Sequence, residues 1–158
     1  MYNYLLAMNN DKDSLRILLR PIKYSLIDLF ISLARVLFFW LPGEDNAKGQ
    51  ALMVLHFLGG CILYSFFFLL PNGHAIRFFI FLFFFFVVLQ QLLFRGCVIT
   101  RAEQKLTGSE HTIMDPWIRL SGLEPTRDLR ISCSTGVICC MTATLLMNLF
   151  VQNFQMLK

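Results

Sequence analysis

Residues 51–70 read ALMVLHFLGGCILYSFFFLL and residues 75–94 read AIRFFIFLFFFFVVLQQLLF, with Pro71-Asn72-Gly73-His74 between them. The first stretch has no formal charge and the second has only Arg77. Each supplies the roughly 20 apolar residues, at about 1.5 Å per residue, that a helix needs to cross hydrocarbon. The Pro-Asn-Gly turn makes them the two arms of a helical hairpin. Arg77 lies close enough to the start of the second arm to be expected to snorkel toward the headgroups.

Toward the C-terminus, residues 131–151 (ISCSTGVICCMTATLLMNLFV) are again uncharged and long enough to span. Ser132, Gly136, Cys140 and Thr144 recur every four residues, so small side chains share one helix face, which is expected to be a helix-packing face rather than a lipid-facing one. Toward the N-terminus, residues 22–41 are apolar overall, but Ser25, Asp28, Ser32 and Arg35 form a narrow polar stripe at 3–4–3 spacing. This amphipathic helix either lies in the membrane interface, with Trp40 as an anchor, or forms a fourth span. Residues 1–21 form a basic arm in which Asp13 or Ser14 is a candidate cap for a short helix that Pro21 interrupts. No A-x-A-like cleavage site follows the first apolar stretch, so Met1 is expected to be retained.

The polar segment 95–130 is expected to form short helices on the membrane surface. Thr100-Arg101-Ala102-Glu103 fits a capping box, Gly108 suits a helix end, and Asp115-Pro116 and Glu124-Pro125 mark breaks. With 22–41 in the interface, six Lys and Arg before Ala51 and six in 95–130 share one side, against Arg77 and Lys158 on the other. A fourth span would divide them almost evenly, so the positive-inside rule favours three spans. The expected fold is an all-α integral membrane protein, one domain over 1–158, with three transmembrane helices plus the N-terminal amphipathic helix.

The whole-chain composition agrees. Of 158 residues, 56% are hydrophobic and 15% charged, beyond the roughly 45–50% apolar content of soluble domains. The net charge of +4 sits beside the apolar spans rather than in one stripe, which marks topology and argues against a nucleic-acid partner. Five cysteines, at 61, 97, 133, 139 and 140, form no C-x-x-C pair, so neither a disulfide framework nor a zinc ribbon is expected.

His56 is the sharpest candidate for chemistry, since an ionisable group within an apolar span is costly. It faces the depth at which the second arm presents Gln90, Gln91 and Arg95. The plain reading is a neutral imidazole that glues helices together. Glu103 can pair with His56 or take a proton, although a local role as a cap is the expectation. Cys97 can join His56, His111 or Asp115 around a metal, but the spacing matches no zinc or di-metal pattern. His56, Gln90, Gln91, Arg95, Cys97 and Glu103 thus form a hypothetical polar cluster with no catalytic, metal or cofactor assignment. No G-x-S-x-G, H-E-x-x-H, phosphate-loop or selectivity-filter motif occurs.

The stretch from His56 through Gly59-Gly60, followed by Arg95-Gly96-Cys97-Val98-Ile99-Thr100-Arg101-Ala102-Glu103-Gln104-Lys105-Leu106, resembles small multi-pass proteins with a C-[VIL]-[IL]-T-x-x-E-x-x-L box after an apolar helix. Such proteins occur in some bacteria and in large nucleocytoplasmic DNA viruses. In the viral members the resemblance implies residence in the virion's internal membrane, beneath the capsid; it assigns no reaction to Cys97, Thr100 or Glu103. The resulting expectation is a non-enzymatic structural protein that anchors or scaffolds a large assembly, as a virion-membrane minor capsid component. Its partners would be the lipid bilayer and other protein subunits, with no cofactor and no small-molecule substrate. The alternatives are an accessory subunit of an organellar inner-membrane complex, and a small transporter, channel or intramembrane enzyme using His56 and Glu103.

Overall fold

The structure, a computed structural model, describes the backbone over residues 2–156 and side chains over 17–151. Six helices follow in order: α1 (Tyr2–Leu37), α2 (Asp45–Leu69), α3 (Ala75–Phe94), α4 (Val98–Thr107), α5 (Asp115–Leu120) and α6 (Arg127–Met156). Three of them, α2, α3 and α6, are long and apolar enough to cross a membrane. The fold is therefore all-helical, and the hairpin and the C-terminal span stand where the hydropathy places them. Exposed Leu69, Phe79, Phe86 and Met147 coat the outside of these three helices. Lipid is the solvent in which such a surface is stable.

Within the bundle, α6 packs along α3, and α2 packs on α4. The spacing of the buried α3 residues Arg77, Ile80, Phe84 and Gln91 puts them on one helical face. Phe67, Ile80, Phe84 and Leu145 form the apolar core shared by α2, α3 and α6. A second core joins Ile27 and Ala34 of α1 to Leu52 of α2 and to Val98, Ala102 and Leu106 of α4. Gly49 allows that approach: a Cβ there would lie 2.7 Å from Thr107 Cγ2 and 2.9 Å from Leu106 Cβ.

Three expectations need correction here. Pro21 does not interrupt a helix: α1 runs through it, losing only the bond that a residue 21 N–H would have given to the Ile17 carbonyl. Positions 13 and 14 are consequently inside α1 rather than at a helix start; their side chains lie outside the described residues. Arg77 does not snorkel. It is 2% exposed, donates to Asn72 Oδ1 at 2.6 Å and Asn148 Oδ1 at 2.7 Å, and lies 4.4 Å from the Phe67 ring centroid. Two amide oxygens and an aromatic face give it a receptor inside the bundle.

The small-residue stripe of α6 faces outward in the single chain. Ser132, Gly136, Cys140 and Thr144 are all exposed, and no atom would lie within 4 Å of a Cβ at Gly136. The larger apolar side chains Ile138, Met141, Leu145 and Leu149 lie against the inner core instead, because they bury more area there. Only Thr144 reaches inward, where its hydroxyl meets that of Tyr64 at 2.8 Å and ties α6 to α2.

The basic residues gather where α1, α4 and the 95–130 segment meet. Lys23 Nζ donates to the Phe94 carbonyl at 2.6 Å, capping the C-terminal end of α3. Arg35 pairs with Asp45, and Lys105 with Asp28 at 3.3 Å. Thus two members of the α1 polar stripe, Asp28 and Arg35, hold α1 to its neighbours.

Candidate active site

The turn between α3 and α4 builds the site. Arg95 adopts the left-handed conformation (φ 51°), and both its N–H and that of Gly96 return to the Gln91 carbonyl. Gln90 Nε2 then donates to the Gly96 carbonyl at 3.1 Å, so the chain leaves α3 in one fixed direction. This delivers Cys97 to the position just before α4, whose first-turn N–H groups have no carbonyl partner within the helix and, at Ile99 and Thr100, lie against the Cys97 sulfur.

The expected capping box is not formed. Helix α4 starts at Val98 with Cys97 as its N-cap, so Thr100 is already helical and Glu103 lies two turns in. Starting the helix earlier rotates Glu103 onto the buried face that also carries Val98, Ala102 and Leu106. Glu103 is 5% exposed and meets α2 rather than its own helix end. On α2, Gly49, Leu52, His56 and Gly60 lie along one face, and His56 projects between Cys97 and Glu103.

His56 Nδ1 lies 2.8 Å from Glu103 Oε1, and His56 Nε2 lies 3.6 Å from Cys97 Sγ. A carboxylate can only accept, so Nδ1 carries the proton; Nε2 faces the sulfur, accepting from the thiol in the neutral pair and donating to the thiolate once the thiol proton has passed to His56. The sequence of thiol, imidazole and carboxylate has the connectivity of a nucleophile, its base and the group that orients the base. Burial alone pushes the Cys97 thiol up. The bond to His56 and the adjacent N–H groups of Thr100 and Ile99 outweigh burial and hold it below the ordinary thiol value, although no full cap hydrogen bond forms.

The three side chains line one half-open cavity of about 190 Å³. Its inner wall is apolar, with Phe57 of α2, Phe84 of α3 and Val137, Ile138 and Met141 of α6. Its outer rim is polar, with Arg101, Gln104, Glu110 and Arg127. Gln91 also lines it, buried at 6%; Thr135 Oγ1 donates to its Oε1 at 3.0 Å, leaving the Nε2 hydrogens as donors. Among the described residues, no three His, Cys, Asp or Glu side chains are grouped to hold a metal ion.

The structure thus brings together His56, Cys97 and Glu103 from the proposed cluster and places Gln91 beside them. Gln90 and Arg95 shape the turn: Gln90 binds backbone, and Arg95 is exposed. His111 and Asp115 stay apart from Cys97. Asp115 receives Arg130 Nε and Nη2, both at 2.8 Å, with Thr112 Oγ1 at 2.8 Å and His111 Nδ1 at 3.1 Å. Burial raises the Asp115 carboxyl, but the Arg130 bonds first, then those of His111 and Thr112, bring it down to about 2. This ion pair anchors the 108–126 segment to the start of α6 and forms the cavity's rim.

Comparison with known family models, curated proteins and solved structures gives no match. The chemistry of the site therefore rests on its own atoms. In the sequence reading, Arg101 and Gly60 appear only within motifs and Arg127 only among the basic residues, so none of the three had a role in the site. Gly60 was visible in principle, four residues beyond His56 and on the same face of α2.

Proposed function

We propose that this chain is a membrane-embedded thiol enzyme of the acyl-transfer class, with Cys97 as nucleophile, His56 as general base and then acid, and Glu103 as the residue that orients His56. The observation that carries this reading is the Cys97–His56–Glu103 chain opening into a cavity. Of the functions open to the sequence, it favours the intramembrane enzyme over a purely structural role, because a structural imidazole has no need of a free nitrogen aimed at a thiol. His56 takes the thiol proton as sulfur attacks a carbonyl and returns it to the leaving group. The open first turn of α4 and the Gln91 amide are the donors nearest the developing oxyanion.

In detergent or nanodiscs, p-nitrophenyl acetate is expected to acetylate Cys97, detected as a mass increase on that residue alone and reversed by neutral hydroxylamine. Cys97→Ser removes the adduct, and His56→Gln slows its formation on the order of 100-fold or more. Acetylation that is indifferent to His56, or spread over the exposed Cys61 and Cys140, defeats the proposal.

A second reading is a structural subunit of a larger membrane assembly, in a virion membrane or an organellar inner membrane. The exposed stripe of Ser132, Gly136 and Cys140 supports it, since small side chains at that spacing let another helix approach closely. Cross-linking through Cys140 in native membranes tests it: a discrete partner adduct supports an assembly, and unmodified monomer opposes it.

A further inference from the structure

Resting on the thiol-enzyme reading, the cavity's shape points to the substrate. Its two halves differ in chemistry along the axis of the bundle. Phe57, Cys61 and Val137 line it and are exposed on the outer surfaces of α2 and α6 within the spans. The cleft between these two helices therefore opens sideways at the depth of the hydrocarbon. Its inner end is walled by buried Phe84 with Ile138 and Met141, and the Tyr64–Thr144 contact lies about one turn beyond that lining. From His56 to Cys61, the last α2 residue of the lining, is five residues, or about 7.5 Å of helix rise, long enough for the first several carbons of an acyl chain, whose remainder extends through the sideways opening into lipid.

The rim carries surplus positive charge. Arg130 is neutralised by Asp115, and Glu103 is engaged by His56. Glu110 lies 3.7 Å from Arg130. Arg101 donates to Gln104 Oε1 at 3.1 Å and is partly offset by Glu110, but it, Arg127 and Lys23 still lie near enough to repel one another, which leaves the rim with more cations than acids. An anionic phosphate placed among them would relieve that repulsion and accept their hydrogen bonds. A nucleophile between an apolar slot open to lipid and a cationic rim is matched by one kind of molecule: a lipid with an acyl chain, an ester carbonyl and an anionic head.

We propose that the substrate is an anionic glycerophospholipid drawn from the surrounding bilayer, with one acyl chain between α2 and α6, its ester carbonyl at Cys97 Sγ and its phosphate against Arg101 and Arg127. Cys97 sulfur bonds to the carbonyl carbon as its proton passes to His56 Nε2. The bond from carbonyl carbon to glycerol oxygen breaks, and His56 protonates that oxygen, giving an acyl thioester on Cys97 and a lysophospholipid. Water then adds to the thioester, its proton returns through His56 to the Cys97 sulfur, and a fatty acid leaves.

The test places the full chain in nanodiscs of phosphatidylglycerol or phosphatidylcholine and reads the Cys97 acyl adduct by mass and lysophospholipid release. Phosphatidylglycerol is expected to react at least tenfold faster. Arg101→Gln with Arg127→Gln is expected to erase that preference. Gly60→Phe fills the slot, since nothing lies within 4 Å of a Cβ there, and is expected to abolish lipid acylation. Gly59→Phe, equally open but outside the cavity, leaves it intact. Acetylation by p-nitrophenyl acetate reports separately on the folded thiol site in every variant. Cys97 acetylation without any phospholipid adduct, or a lipid reaction insensitive to Gly60→Phe, overturns the lipid assignment while leaving the thiol-enzyme reading standing. Failure of acetylation itself overturns both.

Discussion

Arg77, near the turn between α2 and α3, and His56 with Cys97 and Glu103, beside the turn between α3 and α4, are both polar groups held inside an apolar bundle, but their surroundings differ. Arg77 meets two asparagine oxygens and the Phe67 face and does not line the cavity. His56 is held by Glu103 on one nitrogen and offers the other to a thiol beside open space. A polar group enclosed by fixed partners fastens helices together; one that keeps a reactive atom turned toward a cavity is equipped for chemistry. The difference lies in what surrounds the group rather than in burial, since Arg77, Cys97 and Glu103 are all buried.

Glu103→Gln tests the reactive end most severely. The amide keeps the volume but no longer holds the charge that fixes the His56 tautomer, so acetylation of Cys97 at neutral pH is expected to fall about 10²- to 10⁴-fold. Thermal unfolding in detergent measures the companion property. Arg77→Leu should do the reverse: it strands the Asn72 and Asn148 oxygens and costs about 3 kcal/mol, while the acetylation rate of the folded fraction stays at the parent value. If Arg77→Leu slows acetylation as much as Glu103→Gln, the two regions are coupled and the contrast fails.

Acidity sharpens the same contrast. Because Asp115 titrates lower in the folded chain than when unfolded, its contribution to stability is complete above the ordinary carboxylate value near 4 and is lost as pH falls through about 2. Acid unfolding followed by intrinsic fluorescence should therefore steepen across that interval, and Asp115→Asn should remove the steepening. Cys97 shifts in the same direction with a different consequence. Its thiolate persists below the usual thiol range, so its iodoacetamide reaction should reach half its maximal rate at a lower pH than that of a free thiol such as glutathione.

Hydropathy made the fold legible because lipid imposes one condition on every spanning segment, and residues 75–94 emerge as α3 with the expected bounds. The site was legible only as a set of residue types. His56 and Glu103 were visible as an ionisable group in a span and a nearby acid, but their union depends on where α4 begins. Thr100 carries a strong local preference for the cap, and it is overruled because starting at Val98 lets Ala102 and Leu106 bury against α1 and α2. That packing is non-local, and a four-residue pattern does not contain it. Arg77 was misjudged for a related reason: Asn148 lies 71 residues away in sequence, so the sequence did not reveal that its amide oxygen would receive the guanidinium.

Tyr64→Phe probes the boundary between the two regions. The Tyr64 hydroxyl meets Thr144 Oγ1 at 2.8 Å, while the Thr144 hydroxyl also donates back to the Met141 carbonyl at 2.7 Å and the Cys140 carbonyl at 3.0 Å within α6. Deleting the phenol oxygen thus leaves Thr144 with partners of its own, and the phenyl ring keeps its edge contacts with Phe68 and Phe84. The expected loss is about 0.6 kcal/mol, the size typical of a hydrogen bond between membrane helices. Cys97 acetylation should not change, because Tyr64 and Thr144 lie beyond the cavity lining, about one turn past Cys61. Longer p-nitrophenyl esters should gain relative to acetate once the α2–α6 bridge is gone. An equal response of short and long esters would mean that Tyr64 acts only as helix glue, as Arg77 does.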